Sequence, residues 1–287
     1  MVLVLVVVMT VSALCVPLAV DGTEATRTHP RKHISMYTHT DTHAHTLLYF
    51  LSVLRCFSLP KNTLTHYNIQ FPGVHHIKLL EGFLKEGVQF DRNIIPSKSA
   101  NDFVRGAVML ADLNTWCMAT VGPHNFGLKW QNVRARPEEV ANMIRLGQID
   151  PSYYPPAISA ALSQLTFSDP TEFTAYDEGC PPHPAWPAMH SAASAGSLWM
   201  ALVLNLTPEQ ACEARAVDYA ISYARTVAGV HYRTDNIAGL TAGQEILARK
   251  LPRYMAWRYG SDPYAVKEKI KSIRFDWNEY LTSDCFA

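Results

Sequence analysis

The stretch that decides the fold is ARTVAGVHYRTDNIAGLTAGQEILARKL, residues 224–251. From Asp235 onward its apolar residues recur at helical intervals, which predicts a helix over 235–251 that the following proline ends. His231 and Asp235 are four residues apart, so on a helix they share a face. The carboxylate can then accept the proton of one ring nitrogen and fix the histidine tautomer.

Arg225 lies six residues before His231, which is off the same face of a continuous helix. A break at Gly229 would bring the two side chains together. Upstream, the segment that begins at Thr207 has the spacing of a helix cap, a first-turn proline and a capping-box partner. It predicts a helix that runs to about Ala228.

A second segment, HPAWPAMHSAASAG (183–196), joins a proline-rich turn to an apolar helix predicted over 190–206. Its many small residues suit close helix packing. The turn delivers Met189 and His190 onto the first helical turn, where backbone N–H groups and a partial positive charge suit an anion. The alternative is a histidine that only caps the helix or packs in the core.

A third segment, KWQNVRARP (129–137), carries Lys129, Arg134 and Arg136 just before a helix predicted over 137–147. Proline in its first position, acidic residues in its first turn and a final glycine are typical helix punctuation. Alone, a basic stretch before a helix is more often a solvated surface than a site.

Two further predictions complete the domain. A helix is expected over 99–122, with Gly122–Pro123 ending it, and a long loop over 148–187. Strand-like alternation and internal repeats are missing from the sequence. The predicted class is therefore all-α, a helical bundle over residues 71–287.

The N-terminal part of the chain has a different composition. Residues 2–20 are an apolar run without a basic start, so residues 1–22 are predicted to be a signal peptide or an N-terminal anchor. The protein would then be secreted or belong to the endomembrane system. Residues 23–70 are predicted to be a low-complexity, poorly ordered segment. Its tract THTDTHAHT (38–46) could bind a metal, but low complexity is the preferred interpretation.

Composition excludes some functions. Lysine plus arginine and aspartate plus glutamate each number 25, so the formal net charge is zero. This argues against a nucleic-acid binder, and an anion site must therefore use locally clustered cations. None of the six cysteines forms a CxxC pair, so a zinc site is not expected. Disulfides and buried free thiols both remain open.

The polar residues of the three segments have fixed spacings: Lys-x6-Arg-Pro (129–137), Pro-x-x-His (187–190) and Arg-x5-His-x3-Asp (225–235). This order resembles the three-part signature of the vanadium haloperoxidase and type-2 phosphatidic acid phosphatase superfamily. Within these segments, the residues KWQ (129–131), HPAWP (183–187) and GVHYRTD (229–235) are most similar to the sequences of algal vanadium bromoperoxidases. The resemblance covers roughly residues 90–250 and implies the helical bundle of that family.

The resemblance implies one vanadate per subunit as cofactor. His231 would coordinate vanadium, with Asp235 behind it. His190 would act as acid and base, His183 would lie near the halide and peroxide, and Lys129 would polarise the peroxide. The residues that would hold the cofactor are Lys129, Arg136, Met189, His190, Arg225 and His231.

The implied activity is a peroxidase that oxidises a halide, with bromide preferred, to a hypohalous species. Its partners would be hydrogen peroxide, the halide and an organic acceptor, and a homo-oligomer is left open. One alternative is an acid phosphatase of the same superfamily, in which His231 is the nucleophile and His190 the acid. Another is a catalytically weak relative that only binds oxyanions.

Two positions depart from the family pattern. Ala188 and Met189 stand where the family has serine and glycine. The serine hydroxyl is therefore missing, although backbone N–H groups at this turn would still complete an anion cradle. We expect the Met189 side chain to point into the bundle; the alternative is that it points into the cavity. We predict that the basic and histidine side chains converge on one cavity at the mouth of the bundle: Lys129, Arg136, His190, Arg225 and His231.

Overall fold

A computed structural model describes residues 72–96, 103–163 and 181–286. The predicted leader (1–22) and low-complexity segment (23–70) lie outside these ranges. All described residues belong to one compact unit of the chain, Asp41–Ala287. Their secondary structure is helical apart from one antiparallel bridge between Phe90 and Leu204, which confirms the all-α prediction. No helix in the described ranges has both the length and the apolar character of a membrane span.

The helices are α1 (Pro72–Lys85), α2 (Phe103–Asn132), α3 (Pro137–Arg145), α4 (Pro156–Ser163), α5 (Met189–Ala193), α6 (Gly196–Val203), α7 (Pro208–Val227), α8 (Arg233–Tyr259) and α9 (Pro263–Ile273). Two 3₁₀ turns accompany them, Pro151–Tyr153 and Tyr280–Thr282. The main hydrophobic core lies where α1, α2, α6, α8 and α9 meet. A smaller cluster joins α3 to α4, and a third packs the C-terminal tail against α8.

The helices α5 and α8 approach each other closely through glycine. A Cβ atom at Gly243 would lie 2.1 Å from the carbonyl oxygen of Ala192, and one at Gly239 would lie 2.4 Å from that of Ala188. Backbone atoms cannot yield at such distances, so only glycine permits this packing. The small-residue composition predicted to suit close packing serves this contact.

Two predicted helix ends are wrong. Helix α2 continues through Pro123 to Asn132, and α8 continues through Pro252 to Tyr259. Proline removes one intrahelical hydrogen bond, but burial of residues beyond it maintains each helix. Gly122 does not end the helix, and a Cβ there would make only an ordinary van der Waals contact with Met189 Cε at 3.5 Å. The actual end of α8 is Gly260, in the left-handed region at φ 69°.

The helix predicted over 190–206 is broken into α5 and α6. Asp218 of α7 accepts hydrogen bonds from the backbone N–H groups of Gly196 (3.2 Å) and Ser197 (3.0 Å), and so caps a new helix. His76 of α1 contacts the same carboxylate at 2.7 Å. Its ring occupies the place of a Cβ at Gly196, 2.3 Å away. A long-range polar contact therefore overrides the local helical pattern.

The predicted loop 148–187 is only partly a loop. It contains a 3₁₀ turn and α4, whose Ile158 and Leu162 pack on Ala141 and Ile144 of α3. Its residues 164–180, like the start of the helix predicted from residue 99, lie outside the described ranges.

The helix predicted from Thr207 to about Ala228 is confirmed as α7, with the expected capping box between Thr207 and Gln210. A disulfide joins Cys212 to Cys285, whereas Cys117 is a buried free thiol. Both outcomes that the cysteine count left open therefore occur.

The glycine contact generates a stability prediction. Gly243→Ala should lower the free energy of unfolding by about 2 kcal/mol or more, because the new methyl group overlaps the α5 backbone. Gly127→Ala is the matched control, since this α2 glycine is exposed and a Cβ there meets nothing within 4 Å. That control should be neutral or stabilising by up to about 1 kcal/mol. Urea unfolding of both variants tests this, and equal effects would contradict the packing argument.

Candidate functional site

The third segment turns sharply between α7 and α8. Gly229 adopts φ 72°, and the backbone N–H of His231 donates to the carbonyl of Arg225 at 3.2 Å. The break at Gly229 therefore exists as predicted. It brings Arg225, in the last turn of α7, close enough for its charge to act on the His231 ring.

His231 and Asp235 are in contact, but not on one helical face as predicted. His231 precedes α8, and Asp235 occupies its third position. The carboxylate Oδ2 accepts the backbone N–H of Tyr232 at 2.9 Å and lies 3.3 Å from His231 Nδ1. Because a carboxylate can only accept, Nδ1 carries the proton and Nε2 keeps its lone pair.

The first segment supplies two buried cations. Lys129, in the last turn of α2, donates through Nζ to the carbonyls of Pro184 (2.9 Å) and Ala185 (3.0 Å). The chain then turns at Val133, a non-glycine residue in the left-handed region at φ 43°. A β-branched residue is strained in that conformation. The turn directs the following extended residues toward Arg136, the cap of α3.

Arg136 links all three segments. Its Nη1 donates to the Val230 carbonyl at 2.7 Å and lies 3.3 Å from His231 Nε2. Its Nη2 lies 3.1 Å from His183 Nδ1, and its Nε donates to the carbonyls of Pro181 and His183. The side chain is buried. One guanidinium therefore touches both imidazoles, and its contact with Nε2 agrees with a lone pair on that atom.

The second segment contributes His183, Met189 and His190, which have different surroundings. His183 is half-buried, with its ring edge against Phe126 at a centroid distance of 5.0 Å. His190 is the second residue of α5 and half-buried, and its carbonyl accepts from Ser194. Convergence of the His190 side chain with the other polar groups stays a prediction. Met189 packs toward α2 at Gly122, which agrees with the preferred position in the bundle.

The predicted backbone cradle is wrong at Ala188. Its N–H donates to the carbonyl of Asp235 at 2.9 Å, so it is already used to join α5 to α8. Its methyl side chain offers no replacement donor. Whatever binds here must rely on side-chain cations more than the sequence suggested.

The buried cations create a strongly positive environment. Burial, followed by the charge of Arg136, lowers the pKa of Lys129 to about 7, although Asp235 opposes this. Burial, followed by Lys129 and Arg136, lowers the pKa of His183 to about 4. The pKa of His231 is lowered well below its usual value by burial, then by Arg136, Lys129 and Arg225. Both imidazoles are therefore neutral at pH 7.

Burial also raises the pKa of Asp235, against the opposing charge of Arg134. The sequence alone assigns no role to Arg134, because adjacent basic residues resemble a solvated surface. The structure gives it contacts with Thr234 and Asp235. Asn125 was also missed. It lies one turn before Lys129, is fully buried and donates to the Pro187 carbonyl at 3.3 Å.

Comparison of the chain with profiles of protein families, with curated proteins and with solved structures finds no match. Within the described ranges, histidine, cysteine, aspartate and glutamate side chains form no group of three or more that could hold a metal ion. The family resemblance of the three segments therefore stays a prediction.

The environment of His183 generates a pH prediction. Its pKa is about 4 in the folded protein and near 6.5 when unfolded, so the unfolded chain binds an extra proton between these values. Its contribution to stability should be complete above pH 6.5 and decrease as the pH falls to 4. Proton NMR should show a His183 midpoint near pH 4, with the signal assigned by its loss in His183→Gln. A midpoint near 6.5 would contradict the positive environment.

Proposed function

We propose that this chain is a vanadium-dependent haloperoxidase that binds one vanadate per subunit and has the helical bundle of that superfamily. The observation that carries the proposal is the contact of one buried guanidinium, Arg136, with both His231 Nε2 and His183 Nδ1. Asp235 supports His231 from the opposite side of its ring. The three-segment resemblance supports the same interpretation.

The residues present fit vanadate in their chemistry. A metal held as an oxyanion needs cations around its oxygens and a neutral imidazole for the metal itself. Lys129, Arg136 and Arg225 would hold the oxygens. His231 would ligate the metal through Nε2, whose lone pair follows from the Nδ1 contact with Asp235. Met189 and His190 also belong to the predicted set; because the Met189 side chain lies near Gly122 of α2, its backbone N–H would be the group that contributes.

Bound vanadate would supply Lewis-acid activation of hydrogen peroxide toward a halide, with bromide the preferred one. Lys129 donates to two carbonyls, so the position of its amino group is fixed before any substrate arrives. His190 would carry a proton to and from the bound oxygen, and His183 would lie beside the incoming halide. An organic acceptor would then be halogenated by the hypohalous product.

The disulfide supports the proposed compartment. Disulfides persist in oxidising surroundings and are rare in the cytosol. The Cys212–Cys285 bond therefore supports a secreted or endomembrane protein, as the N-terminal apolar run also suggests. Nucleic acid is not an expected partner, because the net charge is zero.

An acid phosphatase is the second candidate. An imidazole whose Nδ1 is held by a carboxylate presents a nucleophilic Nε2, and His231 has this arrangement. It would accept a phosphoryl group, while His190 would protonate the leaving alcohol. A weakly active oxyanion binder is the third candidate, since Ala188 and Met189 supply no side-chain donor to replace the serine.

The deciding experiment uses the purified chain. Bromination of a phenolic dye is measured with peroxide and bromide, with and without added vanadate, beside hydrolysis of an aryl phosphate. Vanadate-dependent bromination supports the proposal. Phosphate hydrolysis without it supports the phosphatase, and neither activity together with vanadate binding supports the oxyanion binder. Phosphate should compete with vanadate in calorimetry, because the two anions share shape and charge.

The two histidines should respond differently to removal. His231→Ala should abolish vanadate retention, because it removes the ligating nitrogen. His190→Ala should reduce bromination far more than vanadate affinity, because it removes only a proton carrier. Equilibrium dialysis with vanadate and the dye assay separate binding from turnover. Equal loss of binding in both variants would refute these separate roles.

Restoring the family residues at the turn should strengthen binding. Ala188→Ser adds a hydroxyl donor, and the double change with Met189→Gly also frees the backbone. We expect the double variant to bind vanadate more tightly by about 1–3 kcal/mol, the usual range for one hydrogen bond to a charged group. Ala188→Ser alone is the control for lost packing, because Met189 fills space at Gly122. Unchanged affinity in both would show that the hydroxyl has no place in this pocket.

A further inference from the structure

Arg134 contacts several residues that surround His231. Its Nη1 donates to Asp235 Oδ1 at 2.7 Å and to Thr234 Oγ1 at 2.8 Å. Its guanidinium lies over the Tyr232 ring, 4.1 Å from the centroid. Its backbone carbonyl accepts the N–H of Ala185, in the segment that carries His183. One residue thus joins the first segment to the other two.

We propose that Arg134 is a positioning residue, which through the Asp235 carboxylate holds the His231 ring with Nε2 facing Arg136. The inference deepens the proposed function and rests on it only for its effect on oxyanion binding. The ring orientation is a property of the chain itself.

The two oxygens of the Asp235 carboxylate have different partners. Oδ2 receives both the Tyr232 N–H and the His231 ring nitrogen, so its direction determines where the ring lies. Oδ1 receives Arg134. If Oδ1 loses this charge-assisted bond, the fully buried carboxylate keeps only contacts on one oxygen and can rotate about its side-chain bond. The anchor on Oδ1 therefore determines the acceptor geometry at Oδ2.

Arg134 is suited to this role because it is fixed although partly exposed. Its side chain is 39% exposed, whereas that of Asp235 is 0% exposed. Thr234 and the Tyr232 ring hold the guanidinium from two further directions. A planar guanidinium can make these contacts together, whereas an ammonium group cannot stack in the same way.

The test reads the His231 ring directly. Long-range ¹⁵N–¹H correlation spectra of the protein without added oxyanion report which ring nitrogen carries the proton. The parent should show the proton on Nδ1 alone. Arg134→Gln should show a mixture of both tautomers, and Arg134→Lys, which keeps the charge but not the stacking on Tyr232, should show a smaller share of the second tautomer. Arg258→Gln is the matched control, because it removes a similarly exposed arginine that pairs with an aspartate, Asp112, far from His231 at the other end of α8.

Vanadate binding gives the second readout. Arg134→Gln should raise the vanadate Kd about tenfold, the usual effect of removing an outer partner of a ligating histidine. An unchanged His231 spectrum in Arg134→Gln would overturn the inference. If the parent does not bind vanadate, the proposed function fails, while the spectra still decide the role of Arg134.

A second variant keeps the inference testable if Arg134→Gln does not fold. Thr234→Val alters an exposed side chain and removes one anchor of the guanidinium. It should introduce a minor second His231 tautomer. Parental spectra in both Thr234→Val and Arg134→Lys, with Arg134→Gln unfolded, would assign Arg134 to stability alone and overturn the inference.

Discussion

The close approach of α5 to α8 is the contact on which the site depends. Gly239 and Gly243 allow the two backbones to meet, and the N–H of Ala188 bonds to the carbonyl of Asp235 at that crossing. The turn that carries the second segment is therefore fixed directly against the start of α8. Since His231 immediately precedes α8, a backbone contact between two helices determines how near the histidine segments come.

Two cations of the site, Lys129 and Arg136, are oriented by main-chain carbonyls. Together they donate to four carbonyls at or just before the start of the second segment (Pro181, His183, Pro184 and Ala185) and to one in the third (Val230). Carbonyl dipoles fix the direction of a cation without cancelling its charge. The nearby carboxylate, Asp235, is bonded to Arg134 as well as to His231. Lys129, Arg136 and Arg225 act together on the two imidazoles, whose pKa values they lower, and such a basic environment suits an oxyanion.

Local signals predicted the parts of this structure that depend on neighbouring residues. The Thr207 cap, the Gly229 break and the contact of His231 with Asp235 all follow from short-range spacing. The predictions that are wrong concern elements whose structure depends on residues distant in sequence. Nothing near Pro123 or Pro252 shows that the helix continues, because packing beyond each proline decides it. The interruption of the 190–206 helix depends on Asp218 and His76, and the role of Arg134 on residues about 100 positions away.

The Cys212–Cys285 disulfide encloses some residues of the candidate site and leaves others outside. It closes a ring that contains Arg225, His231 and Asp235, whereas Lys129 and Arg136 lie outside that ring. A cross-link limits the expansion of the chain it encloses. When the bundle opens, His231, Asp235 and Arg225 therefore stay within one tethered loop, and this bond does not enclose Lys129 or Arg136. The candidate site thus draws its residues both from the part of the chain that this disulfide closes and from a part outside that closure.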